Sequence, residues 1–157
     1  MNQTETFTRQ HFREAAAAIQ GRTSHRPTIG MILGSGLNAL ADEVEDAQRI
    51  PYAEIPHFAP TSVVGHEGRL VIGRLAGRTV LVLQGRAHPY EGISQQRAAL
   101  PVRVMHELGV TTLIVTNAAG GINPTYRAGD LMLIVDHIGL NALVGHNPLW
   151  GPNDETL

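Results

Sequence analysis

Short apolar runs alternate along the chain with longer segments of mixed character, a pattern typical of strands that alternate with helices. The apolar runs predict strands at residues 28–33, 69–75, 79–84, 112–116 and 131–135. Helical spacing predicts helices at residues 8–20, 37–46 and 94–108, with Gly21 and Gly109 placed to end the first and the last. Turn residues predict a hairpin at 76–78 and an irregular loop over 51–68.

Several of the predicted strands are apolar on both faces, which predicts an α/β fold with a mixed, largely buried central sheet flanked by helices. In such folds, ligands bind at the carboxyl ends of the strands. Three predicted strands end in polar or glycine-rich turns, at residues 34–36, 85–88 and 117–121. We therefore expect the functional site where these turns meet.

Composition and charge restrict the class of protein. The 157 residues suit one domain, and a content of 43% hydrophobic and 17% charged residues is that of an ordinary globular protein. The net charge of -2 gives no general attraction to nucleic acid or anionic lipid, so an anion site has to be local. No apolar run reaches the roughly 18 residues of a membrane span, and the first residues do not resemble a signal peptide. We expect no nucleic-acid partner, no membrane partner and a cytoplasmic location.

Residue types absent from the sequence exclude several chemistries. Without cysteine there is no thiolate nucleophile and no Cys-based zinc site. All 12 basic residues are arginine, which excludes a Walker-type lysine and a lysine Schiff base. The histidines show no ligand spacing of a known kind, so we predict no metal.

The turn after the first predicted strand reads Gly-Ser-Gly-Leu-Asn-Ala and formally matches a dinucleotide-binding fingerprint. Such a fold requires a second strand that ends in an acidic residue about 20 positions further on, and that region holds Pro51 and Pro56. The alternative ligand is a simple anion, held by the Ser35 hydroxyl and by the N–H groups that open the following helix. A purely structural alternative is a strand-to-helix turn with Ser35 as the N-cap.

The stretch after the 79–84 run combines several polar side chains. Arg86 and His88 are two residues apart, so both point to the same side of an extended segment and offer donors that match phosphate oxygens. The structural alternatives are an ion pair between Arg86 and Glu91, a solvated His88 and a packing role for the ring of Tyr90.

Two further segments are candidates. Small residues at 116–121 can bring backbone amides to a ligand, or can form a turn in which a glycine takes positive φ. His66 lies in the 51–68 loop, where a histidine is solvated by default.

Taken together, these stretches resemble the trimeric purine nucleoside phosphorylases that cleave inosine and guanosine. The resemblance covers residues 29–155 and is carried, in order, by the motifs at 32–37, 65–68, 84–92, 101–105, 116–121, 129–130, 136–138, 147–149 and 151–154. It implies a three-layer fold and an enzyme of purine salvage that acts as a homotrimer without a cofactor. Inorganic phosphate is then the co-substrate, and ribonucleosides and deoxyribonucleosides are cleaved to free purine and (deoxy)ribose 1-phosphate.

The resemblance also implies roles for individual residues. Arg86 and His88 are the expected catalytic residues and Tyr90 and Asn117 the expected nucleoside contacts, on the ribose side. Phosphate is expected against Ser35, His66, Arg86, Ala87, His88 and Ala118.

The last residues, 147–157, are rich in turn formers, and we expect the chain to stop within a loop, so that residues 1–157 form a single but incomplete domain. The resemblance implies that the residues that recognise the purine lie beyond Leu157. Two alternatives stay open: an inactive fragment that binds phosphate or is only structural, and, within the family, a methylthioadenosine phosphorylase.

Overall fold

Five strands and three α-helices make up the regular structure of the computed structural model, which describes residues 5–60, 67–143 and 147–150. The helices are α1 (Arg9–Gln20), α2 (Gln95–Glu107) and the short α3 (Leu140–Leu143). The strands are β1 (Ile29–Leu33), β2 (Glu45–Pro51), β3 (Arg69–Leu75), β4 (Arg78–Gln84) and β5 (Thr112–Val115). Three 3-10 helices span Ser35–Glu43, Tyr52–Glu54 and Pro89–Glu91.

The strands form one mixed sheet in the order β2-β3-β4-β1-β5, as the apolar pattern predicts. β1 is parallel to both of its neighbours, with Leu33 opposite Gln84 on β4 and Ile32 opposite Val115 on β5. β2 and β3 run antiparallel to the strands beside them. The carboxyl ends of β1, β4 and β5 therefore lie at the same edge of the sheet.

Layers on both faces bury the middle of the sheet. α1 and α2 cover one face, where Ile19 and Leu100 pack with Leu81 in the larger core cluster. The 3-10 helix Ser35–Glu43 covers the other face, where Ala41 packs with Val82. The central strands are apolar on both sides because neither of their faces meets water. β5 differs, since its apolar side chains are 40–53% exposed.

Capping and turn residues act as the sequence indicates. Gly21 caps α1, and Gly109, with φ of +92°, follows the end of α2. The hairpin between β3 and β4 turns at Ala76 and Gly77, both with positive φ, which is the backbone geometry that suits tight hairpins.

Two predicted elements are wrong. The helix predicted at 37–46 is the 3-10 helix Ser35–Glu43, and the chain then enters β2, a strand at the edge of the sheet that the sequence pattern did not reveal. The strand predicted at 131–135 is irregular, with Leu131 and Val135 about nine-tenths exposed. An extended apolar segment becomes a strand only when its backbone pairs with a neighbour, and no described strand pairs with this one.

Part of the predicted loop at 51–68 has regular structure. Pro51 belongs to β2 and residues Tyr52–Glu54 form one 3-10 turn. In the part of the chain that the structure describes, no helix has the length and apolarity needed to cross a membrane.

Candidate active site

The turns that follow β1 and β5 are in direct contact. The Gly34 N–H donates to Thr116 Oγ1 over 2.9 Å, and the Thr116 N–H donates to the Ile32 carbonyl over 3.0 Å. A Cβ atom on Gly34 would lie 3.0 Å from the Thr116 carbonyl oxygen and 3.1 Å from Asn117 Cα. Those distances are shorter than ordinary van der Waals contact, so the two turns can approach this closely only because residue 34 is glycine.

The turn that follows β4 is anchored from the buried side. The Tyr52 hydroxyl donates to the Gly85 carbonyl over 2.6 Å, and Gly85 has a φ of +97°. Burial raises the pKa of the Tyr52 phenol, because the phenolate would lose its hydration, so the hydroxyl keeps its proton and stays a donor. The Gly68 N–H also donates to the Gln84 carbonyl over 3.1 Å. These bonds fix the backbone from which Arg86 and His88 project.

Glu91 orients the ring of His88. One carboxylate oxygen of Glu91 accepts the His88 backbone N–H at 2.8 Å and lies 3.2 Å from His88 Nδ1. Because an ionised carboxylate only accepts, this contact favours the tautomer in which Nδ1 carries the proton. The Tyr90 ring stacks on the His88 ring with centroids 4.8 Å apart, and Tyr90 is 75% exposed.

A cavity of about 330 Å³ opens beside the turn after β4. Its polar wall includes Arg86, His88, Gln95 and Arg97, and its apolar wall includes Phe58. A cavity of this size with convergent polar groups is typical of a small-molecule site.

One cation at the cavity wall is already neutralised. The Arg97 guanidinium forms a forked pair with the Glu5 carboxylate at 2.7 and 3.1 Å. The hydrogen bond from Arg97 holds the pKa of Glu5 below its usual range, and the Ser94 hydroxyl donates to the same carboxylate. This pairing ties the start of the described chain to the start of α2.

The structure brings some of the predicted site residues together and not others. Arg86, Ala87 and His88 line the cavity, whereas Tyr90, Asn117 and Ala118 are not part of its wall. Asn117 instead donates to the Ala118 carbonyl over 3.1 Å within its own turn.

The structure describes only the backbone of Ser35 and does not describe His66, the remaining two residues predicted to bind phosphate. Ser35 begins a 3-10 helix whose N-cap is Gly34, so the alternative that makes Ser35 the N-cap is wrong; the Ser35 side chain is not among those described. His66 lies outside the described residues.

Sequence reasoning missed Tyr52 and Gln84 as residues that shape this site, and it considered Glu91 only as a partner for Arg86. Tyr52 gave no signal, because its contact with Gly85 joins residues 33 positions apart. Gln84 gave a weak signal in the sequence, because a side-chain amide at the end of an apolar strand needs hydrogen-bond partners.

The model of the phosphorylase superfamily matches residues 28–156. The chain belongs to the phosphorylase superfamily. This membership also confirms the fold class, since a mixed sheet with helices is shared with solved superfamily structures.

Three comparisons place the chain within the superfamily. A purine nucleoside phosphorylase of Anopheles gambiae is 53% identical over 149 residues, which covers 95% of this chain and 42% of the relative. A Schistosoma mansoni purine nucleoside phosphorylase solved with inosine is 50% identical, with a TM-score of 0.86, covering 97% of this chain and 54% of that one. Isoform 2 from the same organism, solved with cytosine and ribose-1-phosphate, is 47% identical, with a TM-score of 0.84, covering 92% of this chain and 50% of that one. The chain thus spans about half the length of the relatives it matches.

Proposed function

We propose that this chain forms the phosphate-binding part of a purine nucleoside phosphorylase. The proposed reaction cleaves inosine, guanosine and their deoxy counterparts with inorganic phosphate, and yields free purine and (deoxy)ribose 1-phosphate. The observation that carries the proposal is the turn after β4, whose Arg86 and His88 line a cavity at the edge of the sheet where β1 and β5 also end. Relatives about half identical to the chain are named for this activity, which supports the same conclusion.

The chemistry explains why cationic and N–H donors suit this position. In phosphorolysis a phosphate oxygen forms a bond to C1′ of the sugar while the C1′–N9 bond breaks. The purine leaves with the electron pair of that bond and takes up a proton. Because the sugar gains oxocarbenium-like positive charge in the transition state, an anion held beside it is stabilising, and the protein's task is to bind and orient that anion.

The proposed roles follow the matching motifs. Arg86 supplies a planar set of donors for phosphate, and His88 offers Nε2, which accepts a hydrogen bond from a P–OH group of the phosphate while Glu91 holds the proton on Nδ1. The exposed ring of Tyr90, stacked on His88, is available to a ribose. The proposal is completed by Ser35, His66, Ala87 and the backbone at Ala118 as further phosphate contacts, and by Asn117 on the nucleoside side.

The wider proposal is a cytoplasmic homotrimer that acts in purine salvage and uses phosphate as co-substrate without a cofactor. We also treat residues 1–157 as part of a single domain. The five strands of the described chain share one sheet, which supports that view.

The test is a phosphate-dependent cleavage assay on the full chain. Hypoxanthine release from inosine is followed with and without inorganic phosphate, and guanosine and methylthioadenosine are compared as substrates. Release that requires phosphate supports the proposal, and a preference for methylthioadenosine supports the other branch of the family. Phosphate binding by calorimetry without turnover supports a phosphate-binding fragment. If the chain shows no phosphate binding and no turnover, the proposal is refuted for this chain.

The phosphate site itself is tested by replacing two arginines, one at each end of β4. Arg86→Ala removes the proposed clamp at the carboxyl end of β4, and Arg78→Ala removes an exposed arginine at the opposite end. Loss of a charged hydrogen bond to an anion is expected to weaken phosphate binding about tenfold or more. Arg78→Ala should leave it unchanged, and equal affinities for the two variants would reject the clamp.

A further inference from the structure

Gln84 ends β4 with a side chain that is only 2% exposed. It lies on the sheet face of Val80 and Val82, which packs against the 3-10 helix Ser35–Glu43. A buried amide is stable only when both of its polar atoms have partners, whereas an apolar residue would fill the same space without that requirement. The partners of Gln84 therefore indicate what this residue does.

Both amide atoms are used, and each joins a different element. The Arg69 Nε–H on β3 donates to Gln84 Oε1 over 2.6 Å, and Gln84 Nε2 donates to the Asn38 carbonyl over 3.0 Å. Since a guanidinium only donates and a carbonyl only accepts, these partners fix which way the amide points. Arg69 also reaches Asp42 over 3.1 Å, so the 3-10 helix is tied to the sheet at two residues.

The location of this network connects it to the candidate site. Gln84 directly precedes the turn that carries Arg86, and Asn38 lies in the first part of the 3-10 helix that begins at Ser35. The Gln84 side chain thus hydrogen-bonds to the 3-10 helix that follows β1, while the Gln84 backbone leads into the turn at 85–88.

We infer that Gln84 is a positioning residue, whose amide holds the 3-10 helix Ser35–Glu43 in register with the turn at 85–88. The two turns then present their donors to one anion. The first step of this inference, the position of the helix relative to the turn, is a property of the fold and is measurable without any ligand. The second step, the shared binding of one anion, rests on the proposed function, because it assumes that phosphate binds there.

Two substitutions are compared with a control from the opposite face of the same strand. Gln84→Met keeps the length of the side chain and removes both hydrogen bonds. Gln84→Glu keeps an acceptor for Arg69 and removes the donor to Asn38. Leu81→Ala, at a fully buried residue that packs with α1 and α2, lowers stability without touching the network or the 3-10 helix.

Hydrogen exchange of the backbone amides at 36–43 decides the first step. Both Gln84 variants are expected to exchange there about tenfold faster relative to the rest of the chain, as for one lost hydrogen bond, whereas Leu81→Ala shows no such local excess. Should Gln84→Met fail to fold, Gln84→Glu decides alone. Unchanged local exchange in a folded Gln84 variant overturns the inference.

Calorimetry with inorganic phosphate decides the second step. Gln84→Met is expected to weaken phosphate binding about tenfold, and less than additively when it is combined with Ser35→Ala, because both then act on one turn. Affinity within twofold of the unsubstituted chain, or full additivity, overturns the positioning role. Absence of phosphate binding by the unsubstituted chain refutes the proposed function instead, while the exchange result still stands.

Discussion

Replacing Gly34 by alanine tests whether contact between two turns shapes the candidate site. The φ of Gly34 is -77°, which any residue adopts, so the substitution imposes no backbone strain of its own. Its effect comes from the added methyl group. That group would lie 3.0 Å from the Thr116 carbonyl oxygen and 3.1 Å from Asn117 Cα, both of them backbone atoms.

The magnitude follows from those distances. Carbon contacts are most favourable at about 3.5–4.0 Å, so the turns after β1 and β5 have to separate by a few tenths of an ångström. Overpacking of this kind typically costs about 1–3 kcal/mol. In a chain of this length each kcal/mol lowers Tm by roughly 2–4 °C. The hydrogen bond from the Gly34 N–H to Thr116 Oγ1 lengthens with the same movement, so phosphate binding should weaken as well.

The matched control is Gly36→Ala, two residues further along, where an added Cβ meets nothing within 4 Å. Because alanine restricts the unfolded chain, this control should be neutral or stabilising by up to about 1 kcal/mol. Urea and thermal unfolding of both variants give the comparison. Equal stability of the two variants would refute the reasoning, since it would mean that the turns are not in close contact.

Three further substitutions probe the anchors of the fold. Tyr52→Phe deprives the buried Gly85 carbonyl of its donor and should lower the free energy of unfolding by about 1–3 kcal/mol in urea; an unchanged value would show that water replaces the hydroxyl. Glu5→Gln should lower Tm at neutral pH but not in acid. The pKa of Glu5 is depressed by its bond with Arg97, so the stabilisation is complete above the unfolded pKa and lost as pH falls through the folded pKa; a difference independent of pH would contradict this. Leu81→Ala, at a fully buried position between the sheet and the helices, should cost about 2–5 kcal/mol in urea, and a loss below 1 kcal/mol would argue against a tightly packed core.

The sequence by itself predicts the elements that have strong local signals. α1, α2 and the central strands are correctly predicted, because their apolar spacing reflects burial that a short window of residues reveals. The mixed sheet follows from that pattern, and family membership follows from the order of the motifs. The stretch from Arg86 to His88 is identified as candidate chemistry and lies at a cavity wall. Its binding of phosphate stays a prediction.

Elements whose stability comes from partners elsewhere in the chain are the ones that the sequence misses. β2 buries Ile50 but exposes several of its other residues, so it carries little apolar pattern and is a strand because it pairs with β3. Residues 131–135 carry the pattern of a strand and have no described partner.

The same distinction applies to the site. Residue types along the chain indicate which turns can bind an anion, because donors, glycines and spacing are local properties. Only the tertiary structure decides that Gly34 meets Thr116, 82 residues away, and that Gln84 joins Arg69 to Asn38. Close contacts between distant residues depend on how strands are ordered in the sheet, and no local pattern of side chains specifies that order.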